Sequence, residues 1–410
     1  MRGSSLYKVS AVAAVGALVL AGCGSRGGGS SSSSGTVVEI GVDAPLTGGL
    51  AALGLGIKNS TDLAVNTANK TNEVPGVTFK LVSKDDQKNP SIGQQNATAF
   101  VADPAVVGVV GPLNSSVAQS MQKVFNDANL VEVSPANTNP SLSQGPDWQT
   151  NKARTYKSYF RTATTDAVQG PFAAQYVYND LKFTKVATVS DGKTYGAGLV
   201  QTFTDEFKKL GGTVVVAQTA PDTTTDFGSI VSAVKGSGAQ LLYYGGEYPG
   251  AGPLSKQLKA GGANIPLMGG DGIVDKTYAQ LAGPAANGDF ATSVGAPVST
   301  LDSAKTFVAN YAAAKYADAY SAYGGYSYDS AWAIIEAVKA VVSANGGKVP
   351  SSSSDFRAKV EAATQNVSFD GVTGHVAFDQ YGDTTNKQLT MYKVENGDFG
   401  NGVKVGTFTG

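Results

Sequence analysis

The sequence predicts an α/β protein made of two doubly wound lobes, each built on a mainly parallel sheet. Short β-branched runs alternate with helical patterns along most of the chain, which is typical of β-α-β units. The alternation occurs in two successive blocks, and a polar turn follows most of the strands in each block. Removing a 22-residue leader from the 410 residues leaves 388, a length that favours two domains over one.

The clearest β-α-β unit begins with Val106–Val110, a β-branched run between glycines that indicates a strand buried on both faces. The polar turn after it supplies Ser115 or Ser116 as the predicted N-cap of a helix. A second strand, Leu130–Val133, ends in a second polar turn, Ser134–Thr138. Because parallel strands end at the same sheet edge, both turns would lie together there. Their hydroxyls and free backbone N–H groups suit a small anion such as a carboxylate.

The remaining strands follow the same rule, since each is a short apolar run that ends at a polar or glycine-rich turn. The first block adds Val37–Val42 and Val77–Val82. The second block contains four predicted strands with helical patterns between them: Val186–Val189, Thr213–Ala217, Leu241–Tyr244 and Ile265–Met268. Two such lobes facing each other would enclose a cleft, with the polar turns of both lobes inside it.

The last quarter of the chain is expected to return to both lobes. Two helices follow Leu301, the second over Tyr328–Val342, and the tail predicts a hairpin of His375–Phe378 with Leu389–Val394. We therefore expect discontinuous domains, with residues 36–164 and 290–371 in lobe 1 and residues 165–289 and 372–410 in lobe 2.

The first 22 residues have the features of a signal peptide: a basic start, an apolar run and a small-residue cleavage site. The apolar run, Val9–Ala21, is too short to cross a bilayer, which needs roughly 20 residues. The ending Leu-Ala-Gly-Cys resembles the lipobox of bacterial lipoproteins, which implies lipidation of Cys23. An ordinary signal peptide with a chance cysteine is the alternative. Residues 23–35 then form a Gly/Ser-rich flexible tether.

Composition and motifs argue against several other classes of protein. Loss of the leader's Arg2 and Lys8 takes the formal charge from −1 to −3, which argues against a nucleic-acid partner. Cys23 is the only cysteine, so no intrachain disulfide forms. The body lacks a Gly-x-Ser-x-Gly elbow and a His/Cys cluster, and its one histidine, His375, lies in a strand-like segment. We therefore expect no enzyme activity, no cofactor and no metal.

A series of short motifs stands in a fixed order along the chain: Ile40–Val42, Pro45–Gly48, Asp85–Asp86, Gly111–Ser116, Ser134–Thr138, Arg161–Thr162, Gln169–Pro171, Tyr195–Gly196, Tyr243–Gly246 and Gly270–Gly272. This series resembles the periplasmic leucine/isoleucine/valine-binding protein family of ABC importers. The match runs from Val37 to about Gly382. It implies two Rossmann-like lobes of the type I periplasmic binding protein fold, joined by three crossovers around a ligand cleft.

The resemblance also implies ligand-binding residues. Ser115, Thr138 and the backbone of Ala136 would take a ligand carboxylate, and Asp271 would take its ammonium. The residues alone agree, because a zwitterion needs an anion opposite the donors. Three more residues are predicted to contact the ligand: Asn114 in the first polar turn, and Tyr195 and Tyr328 lining the cleft. Helix capping or turn formation is the alternative role of Ser115, Thr138 and Asp271.

Two residues depart from the family pattern. Leu53 stands near the opening loop, where an aromatic residue is common in the family, and Glu247 stands where the leucine-binding relatives carry tyrosine. If Glu247 faces the cleft, it repels Asp271 unless a ligand cation or an arginine lies between them. The alternative is that Glu247 faces solvent. A more polar amino acid, or an amide such as urea, therefore stands beside a branched-chain amino acid as the predicted ligand.

The sequence thus predicts an extracytoplasmic solute-binding lipoprotein, a monomer anchored to the bacterial cell membrane through Cys23. It would capture a small zwitterionic or amide ligand by closure of its lobes and deliver it to an ABC permease. Two alternatives remain: a binding protein for urea or short amides, and a ligand-sensing lipoprotein that presents its closed form to a receptor.

Overall fold

The computed structural model describes residues 35–400 and 402–407. The predicted signal peptide, the predicted lipid attachment at Cys23 and the tether up to residue 34 lie outside these residues. Among the described residues, none of the helices combines the length and the apolar composition needed to span a membrane.

The first lobe contains a parallel five-stranded sheet in the order β2-β1-β3-β4-β5. Its strands are β1 (Thr36–Ala44), β2 (Val77–Asp85), β3 (Val106–Val110), β4 (Val131–Ser134) and β5 (Tyr159–Arg161). The helices between them are α1 (Ala51–Thr71), α2 (Pro90–Ala102), α3 (Ser115–Asp127) and α4 (Ser141–Gln144). All five residues of β3 are buried and the strand pairs in parallel with β4, so the predicted central β-α-β unit is confirmed.

The second lobe begins with α5 (Asp166–Gln175) and contains a seven-stranded sheet in the order β14-β13-β10-β9-β8-β6-β7. Its first strands are β6 (Lys185–Ser190), β7 (Thr213–Thr219), β8 (Leu241–Gly245), β9 (Leu267–Gly269) and β10 (Phe290–Ser293). The helices that alternate with them are α6 (Thr194–Lys209), α7 (Gly228–Lys235), α8 (Tyr248–Ala260) and α9 (Lys276–Ala282). The four strands predicted in this block are all present.

The chain then returns to the first lobe through α10 (Lys305–Ala314), α11 (Gly324–Ala344) and α12 (Ser353–Thr364), because α11 packs on α1 and α12 packs on β3. A small hairpin, β11 (Ser368–Gly371) with β12 (Gly374–Ala377), follows on the same side. Finally β13 (Gln388–Lys393) and β14 (Lys404–Thr407) add antiparallel strands to the second sheet.

The predicted C-terminal hairpin is wrong. The segment around His375 pairs with β11, which comes just before it in the chain, while β13 pairs with β10 and β14. The predicted domain boundaries also shift, because β10 belongs to the second sheet and the chain re-enters that sheet only at β13. The chain nevertheless passes between the two sheets three times, as expected, after β5, after β10 and before β13.

Two of these crossovers are joined by an ion pair between Arg161 and Asp383, whose side chains are both fully buried. The Arg161 Nε donates to an Asp383 carboxylate oxygen at 2.6 Å, and its guanidinium also donates to the carbonyls of Asn137 and Asn139. The Arg161 guanidinium lowers the pKa of Asp383 against the opposing effect of burial. The ion pair therefore joins the end of β5 to the third crossover.

Candidate functional site

The carboxyl ends of strands from both sheets meet at a small cavity between the lobes. Residues of the first lobe, of the second lobe and of the start of α11 line it: Leu113, Asn114, Ser115, Ala136, Tyr195, Glu247, Asp271, Gly272 and Tyr323. The cavity volume is about 10 Å³, roughly the space of one water molecule, so the lobes are shut on each other in this arrangement. Six of the predicted ligand-binding residues lie here: Asn114, Ser115, Ala136, Tyr195, Glu247 and Asp271.

The first-lobe side of the cavity offers hydroxyl groups. The Ser115 Oγ is buried and has no hydrogen-bond partner among the described residues. The Thr138 hydroxyl instead acts on the buried Asp166 carboxyl and lowers its pKa. The predicted capping role of Ser115 or Ser116 is wrong, because Asn114 is the N-cap of α3 and its side chain makes no cap bond. Ser115 is therefore a free donor at a helix N-terminus, where an anion is stabilised. Thr138 is buried in the neighbouring turn and is not among the residues that line the cavity.

Opposite these hydroxyls lies Asp271, a buried carboxylate with three neutral donors. Gln169 Nε2 and the Tyr195 hydroxyl donate to Oδ1 at 2.9 and 2.8 Å, and the Tyr323 hydroxyl donates to Oδ2 at 2.7 Å. Burial raises the pKa of Asp271, and these three bonds lower it in opposition. The Asp271 carboxylate thus has three neutral donors and no cation within ion-pair distance among the described residues.

Two glycines allow Tyr195 to reach Asp271. A Cβ on Gly196 would stand 2.3 Å from the carbonyl oxygen of Gly245, and a Cβ on Gly245 would stand 2.1 Å from that of Gly196. Because real side chains do not approach a backbone so closely, only glycine at both positions lets the start of α6 sit against the end of β8. The Tyr195 hydroxyl then also accepts from the Gly272 N–H at 3.1 Å, which fixes the turn that carries Asp271.

Behind Asp271 lies a second buried acid that the sequence prediction missed. Asp166 begins α5, just after the first crossover, and its Oδ1 accepts a hydrogen bond of 3.1 Å from the same Gln169 amide nitrogen. The Thr138 and Gln169 side chains both act to lower the pKa of Asp166. Burial and the nearby Asp271 raise the pKa of Asp166 to about 8. The pair Thr165–Asp166 ahead of Gln169 was the signal in the sequence.

Glu247 faces the cavity and not solvent. It is 5% exposed, and the Asn114 Nδ2 donates to its Oε1 at 2.7 Å across the cleft. Burial raises the pKa of Glu247, while Lys88 and Lys193 act to lower it. The Asn114 amide oxygen is buried and has no partner among the described residues.

A charged cluster closes the cleft beside Glu247. Lys88, from the turn after β2 in the first lobe, lies 2.6 Å from Asp222 in the second lobe, and Lys193 lies 2.5 Å from the same carboxylate oxygen. The two lysines lower the pKa of Asp222 to about 2. This cluster lies outside the residues that line the cavity and joins the lobes directly.

Tyr328 does not line the cavity, contrary to the prediction. Helix α11 begins four residues earlier than predicted, so Tyr328 lies one turn inside it and packs against Phe307 and Trp332. Tyr323, the N-cap residue of α11, takes the place in the cavity instead. The glycines that follow Tyr323 mark the start of the helix and could have identified it from the sequence. Leu53, the other departure noted above, is fully buried in α1.

The sequence matches one family profile over most of the chain. The sequence profile described as periplasmic binding protein matches residues 37–398. The chain belongs to the periplasmic binding protein family. The Leu/Ile/Val-binding protein BraC3 of Rhizobium johnstonii is 30% identical over 360 residues, which cover 88% of this chain and 92% of that protein.

Solved structures of periplasmic binding proteins agree in fold. The branched-chain amino acid transporter substrate-binding protein LivJ of Streptococcus pneumoniae, in complex with isoleucine, has a TM-score of 0.78 at 24% identity and covers 91% of this chain and 99% of that chain. A solute-binding protein of an ABC transporter from Rhodopseudomonas palustris HaA2, in complex with p-hydroxybenzoic acid, has a TM-score of 0.75 at 25% identity, with coverage of 91% and 97%. The type I fold is thereby confirmed.

Membership of the periplasmic binding protein family establishes the broad role. The chain is an extracytoplasmic solute-binding protein of the kind that serves ABC transporters, and the family comprises binding proteins, not enzymes. Among the described residues, no group of three or more His, Cys, Asp or Glu side chains is placed to hold a metal ion.

Proposed function

We propose that this protein captures a free α-amino acid between its lobes. The observation that carries the proposal is Asp271, a buried carboxylate with three neutral donors, which faces a buried and unpartnered Ser115 hydroxyl across the cavity. An α-ammonium group would supply the missing cation at Asp271, and an α-carboxylate would accept from Ser115 and the N–H groups at the start of α3. The ligand's α-carboxylate thus binds to the first lobe and its α-ammonium binds to Asp271 of the second lobe.

The protein then delivers the amino acid, as a monomer, to an ABC permease. A ligand that touches both lobes favours the closed arrangement by as much as its affinities for the two arrangements differ. The relatives named as Leu/Ile/Val-binding proteins support an amino acid as the ligand, and the complex of the Rhodopseudomonas palustris protein with an aromatic acid supports a carboxylate as the shared feature. The similarity to a solute-binding protein of an ABC transporter supports transport over sensing.

The test is titration calorimetry against the common amino acids, urea and short amides, with Asp271→Asn as the diagnostic variant. Loss of the charge opposite an ammonium should weaken amino-acid binding by about 2–5 kcal/mol, or at least 30-fold. The matched control is Asp302→Asn, since the Asp302 side chain is 93% exposed and forms only a surface pair. Unchanged affinity in D271N, or tight binding of urea without any amino acid, would overturn the proposal.

We propose further that lipid on Cys23 holds the mature protein at the outer face of the cell membrane, with residues 24–35 as a tether. The support is the Leu-Ala-Gly-Cys ending behind an apolar run. In the native host, Cys23→Ser should move the protein from the detergent-requiring membrane fraction to the soluble extracytoplasmic fraction. A variant that still needs detergent for its release would contradict the anchor.

A further inference from the structure

The lining of the cavity is rich in hydrogen-bond acceptors. Asp271 and Glu247 contribute carboxylates, and Asn114 contributes an amide oxygen that is buried without a partner among the described residues. Leu113, Ala136 and the rings of Tyr195 and Tyr323 supply the apolar part of the lining. Asp271 is accounted for by the α-ammonium of the proposed ligand. The α-ammonium and α-carboxylate of the ligand would not use Glu247 or the Asn114 oxygen. These two acceptors are therefore available to the side chain of the ligand.

Glu247 already has cations close to it. Lys88 and Lys193 both act on Glu247, and both are paired with the single carboxylate of Asp222. A third acid, Asp191, is buried beside them, and burial and Glu247 raise its pKa to about 7. A neutral hydrogen-bond donor fits this part of the cavity, because Glu247 already has two lysines near it and the Asn114 amide oxygen is an uncharged acceptor.

We propose that Glu247 and Asn114 are specificity-determining residues that select an amino acid with a neutral hydrogen-bond donor in its side chain, a carboxamide or a hydroxyl. The inference rests on the proposed function, because it assumes that Ser115 and Asp271 hold the α-carboxylate and the α-ammonium. The carboxamide or hydroxyl replaces the Asn114–Glu247 bond that now spans the cavity. Its N–H or O–H donates to Glu247 or to the Asn114 amide oxygen, and its oxygen accepts from Asn114 Nδ2.

A branched aliphatic side chain would be disfavoured at this position. It would separate Asn114 from Glu247 and leave an amide and a carboxylate buried without partners, which costs free energy. Sites built to hydrogen-bond a ligand group discriminate strongly against analogues that lack it. The preference predicted here is therefore the reverse of that stated in the names of the leucine-binding relatives.

The experiment measures the ratio of dissociation constants for leucine and for asparagine, glutamine, serine and threonine by calorimetry. The wild-type protein should bind at least one of the four polar amino acids about tenfold or more tightly than leucine, isoleucine or valine. Glu247→Leu should reduce that ratio about tenfold or more, mainly by weakening the polar ligand. Glu247→Gln keeps a hydrogen-bonding group of the same shape and should retain most of the preference.

The matched control is Asp222→Asn, which disturbs the cross-lobe lysines but does not line the cavity. It should weaken all amino acids alike and leave the ratio within about threefold. Tighter binding of leucine, isoleucine or valine to the wild-type protein would overturn the inference and leave the proposed function standing. The inference would also be overturned if the ratio of the dissociation constants were unchanged in E247L, or if it fell by the same factor in D222N. Failure of every amino acid to bind would overturn both.

Discussion

At the scale of single residues, carboxyl groups of opposite character lie around the cavity. Asp222 is held ionised by two lysines, whereas no cation among the described residues lies in hydrogen-bond contact with Asp166. Burial and Asp271 raise the pKa of Asp166 to about 8, despite a lowering influence from Arg161. The folded protein therefore holds a proton on Asp166 at neutral pH that the unfolded chain releases.

This difference predicts a pH-dependent stability that Asp166→Asn removes. Because the folded pKa of about 8 lies above the ordinary value of 3.8, the contribution of Asp166 to stability is present below pH 4 and is lost as the pH rises toward 8. Asparagine imitates the protonated acid and keeps an oxygen for Gln169. The variant should be within about 1 kcal/mol of the wild type near pH 4.5 and more stable by several kcal/mol at pH 8. Denaturant unfolding of ligand-free protein at both pH values measures this.

The control for this prediction is Asp302→Asn, whose exposed side chain should leave the pH profile unchanged. Asp86, Asp191 and Asp329 also have raised pKa values, to about 6, 7 and 6, and they add to the wild-type slope. Only the difference between the two proteins isolates Asp166. Parallel profiles for wild type and D166N from pH 5 to 8 would contradict the prediction.

The sequence predicted the residues of the site better than their roles. Turns after strands identify Ser115, Glu247 and Asp271, because parallel topology brings strand ends together whatever the side chains do. The choice of Tyr328 over Tyr323 failed because helix boundaries are uncertain by a few residues, and the five-residue step between the two tyrosines turns a side chain about 140° around the helix axis. Asp166 was missed because it is linked to the site through Gln169, which binds Asp271. Gln169 and Asp271 are 102 residues apart in the chain, so the sequence does not show that they are in contact.

At the scale of secondary-structure elements, the crossovers are where the two lobes are joined. The first crossover leaves β5 at Arg161, and the third passes Asp383 alongside it, with both ionic side chains fully buried. Asp383 also accepts from the Gln144 side chain at 2.7 Å, so α4 is attached to the same point. Three separate stretches of chain thus depend on one ion pair.

Arg161→Met should therefore be strongly destabilising. Removal of the guanidinium leaves Asp383 buried without its cation and also frees the Asn137 and Asn139 carbonyls. Loss of one partner of a buried pair costs about 3–5 kcal/mol of unfolding free energy. The control is Lys123→Ala at an exposed pair on α3, where the expected loss is about 0.5 kcal/mol or less. Denaturant unfolding compares the two, and a loss below about 1 kcal/mol in R161M would refute this role.

The strands of the two main blocks were predictable because they are local, β-branched and bounded by turns. The C-terminal strands were not, since β13 and β10 are antiparallel partners about a hundred residues apart and β11 and β12 are short and half-exposed. Hydrophobic alternation identifies a strand, but it does not say which distant strand completes the ladder. Helix α12, the third helix of the returning segment, was also missed. Its apolar face is narrow, so the helical pattern is weak in the sequence.

At the scale of the whole molecule, several bonds cross the cleft and hold the lobes shut. Lys88 pairs with Asp222, Asn114 donates to Glu247, and Tyr323 donates to Asp271. The Asn139 amide also donates to the carbonyl of Thr194 at 2.6 Å. Lys88, Lys193 and Asp222 are each about a quarter exposed, so salt reaches this part of the closure most easily.

Asp222→Asn should loosen the closed arrangement. A partly exposed ion pair contributes about 0.5–1 kcal/mol, so the bound amino acid should be held roughly two- to fivefold more weakly at low salt. Wild type should lose a similar factor between 0.05 and about 0.5 M salt, and D222N should lose less. Calorimetry gives the affinities, and small-angle scattering should give a larger radius of gyration for ligand-free D222N. Lys359→Ala, at an exposed pair within α12, is the control. Identical salt dependence in wild type and D222N would count against the cluster as a closing contact.

The closed cavity has space for about one water molecule, so it is too small to admit an amino acid. This limits the rate at which a solute is bound. No amino acid diffuses into a shut cleft, so every association event must start from separated lobes. The observed on-rate is then the encounter rate multiplied by the fraction of molecules that are open, and the residence time of the guest equals the waiting time for reopening. Substitutions that weaken the cross-lobe bonds should therefore accelerate both arrival and departure.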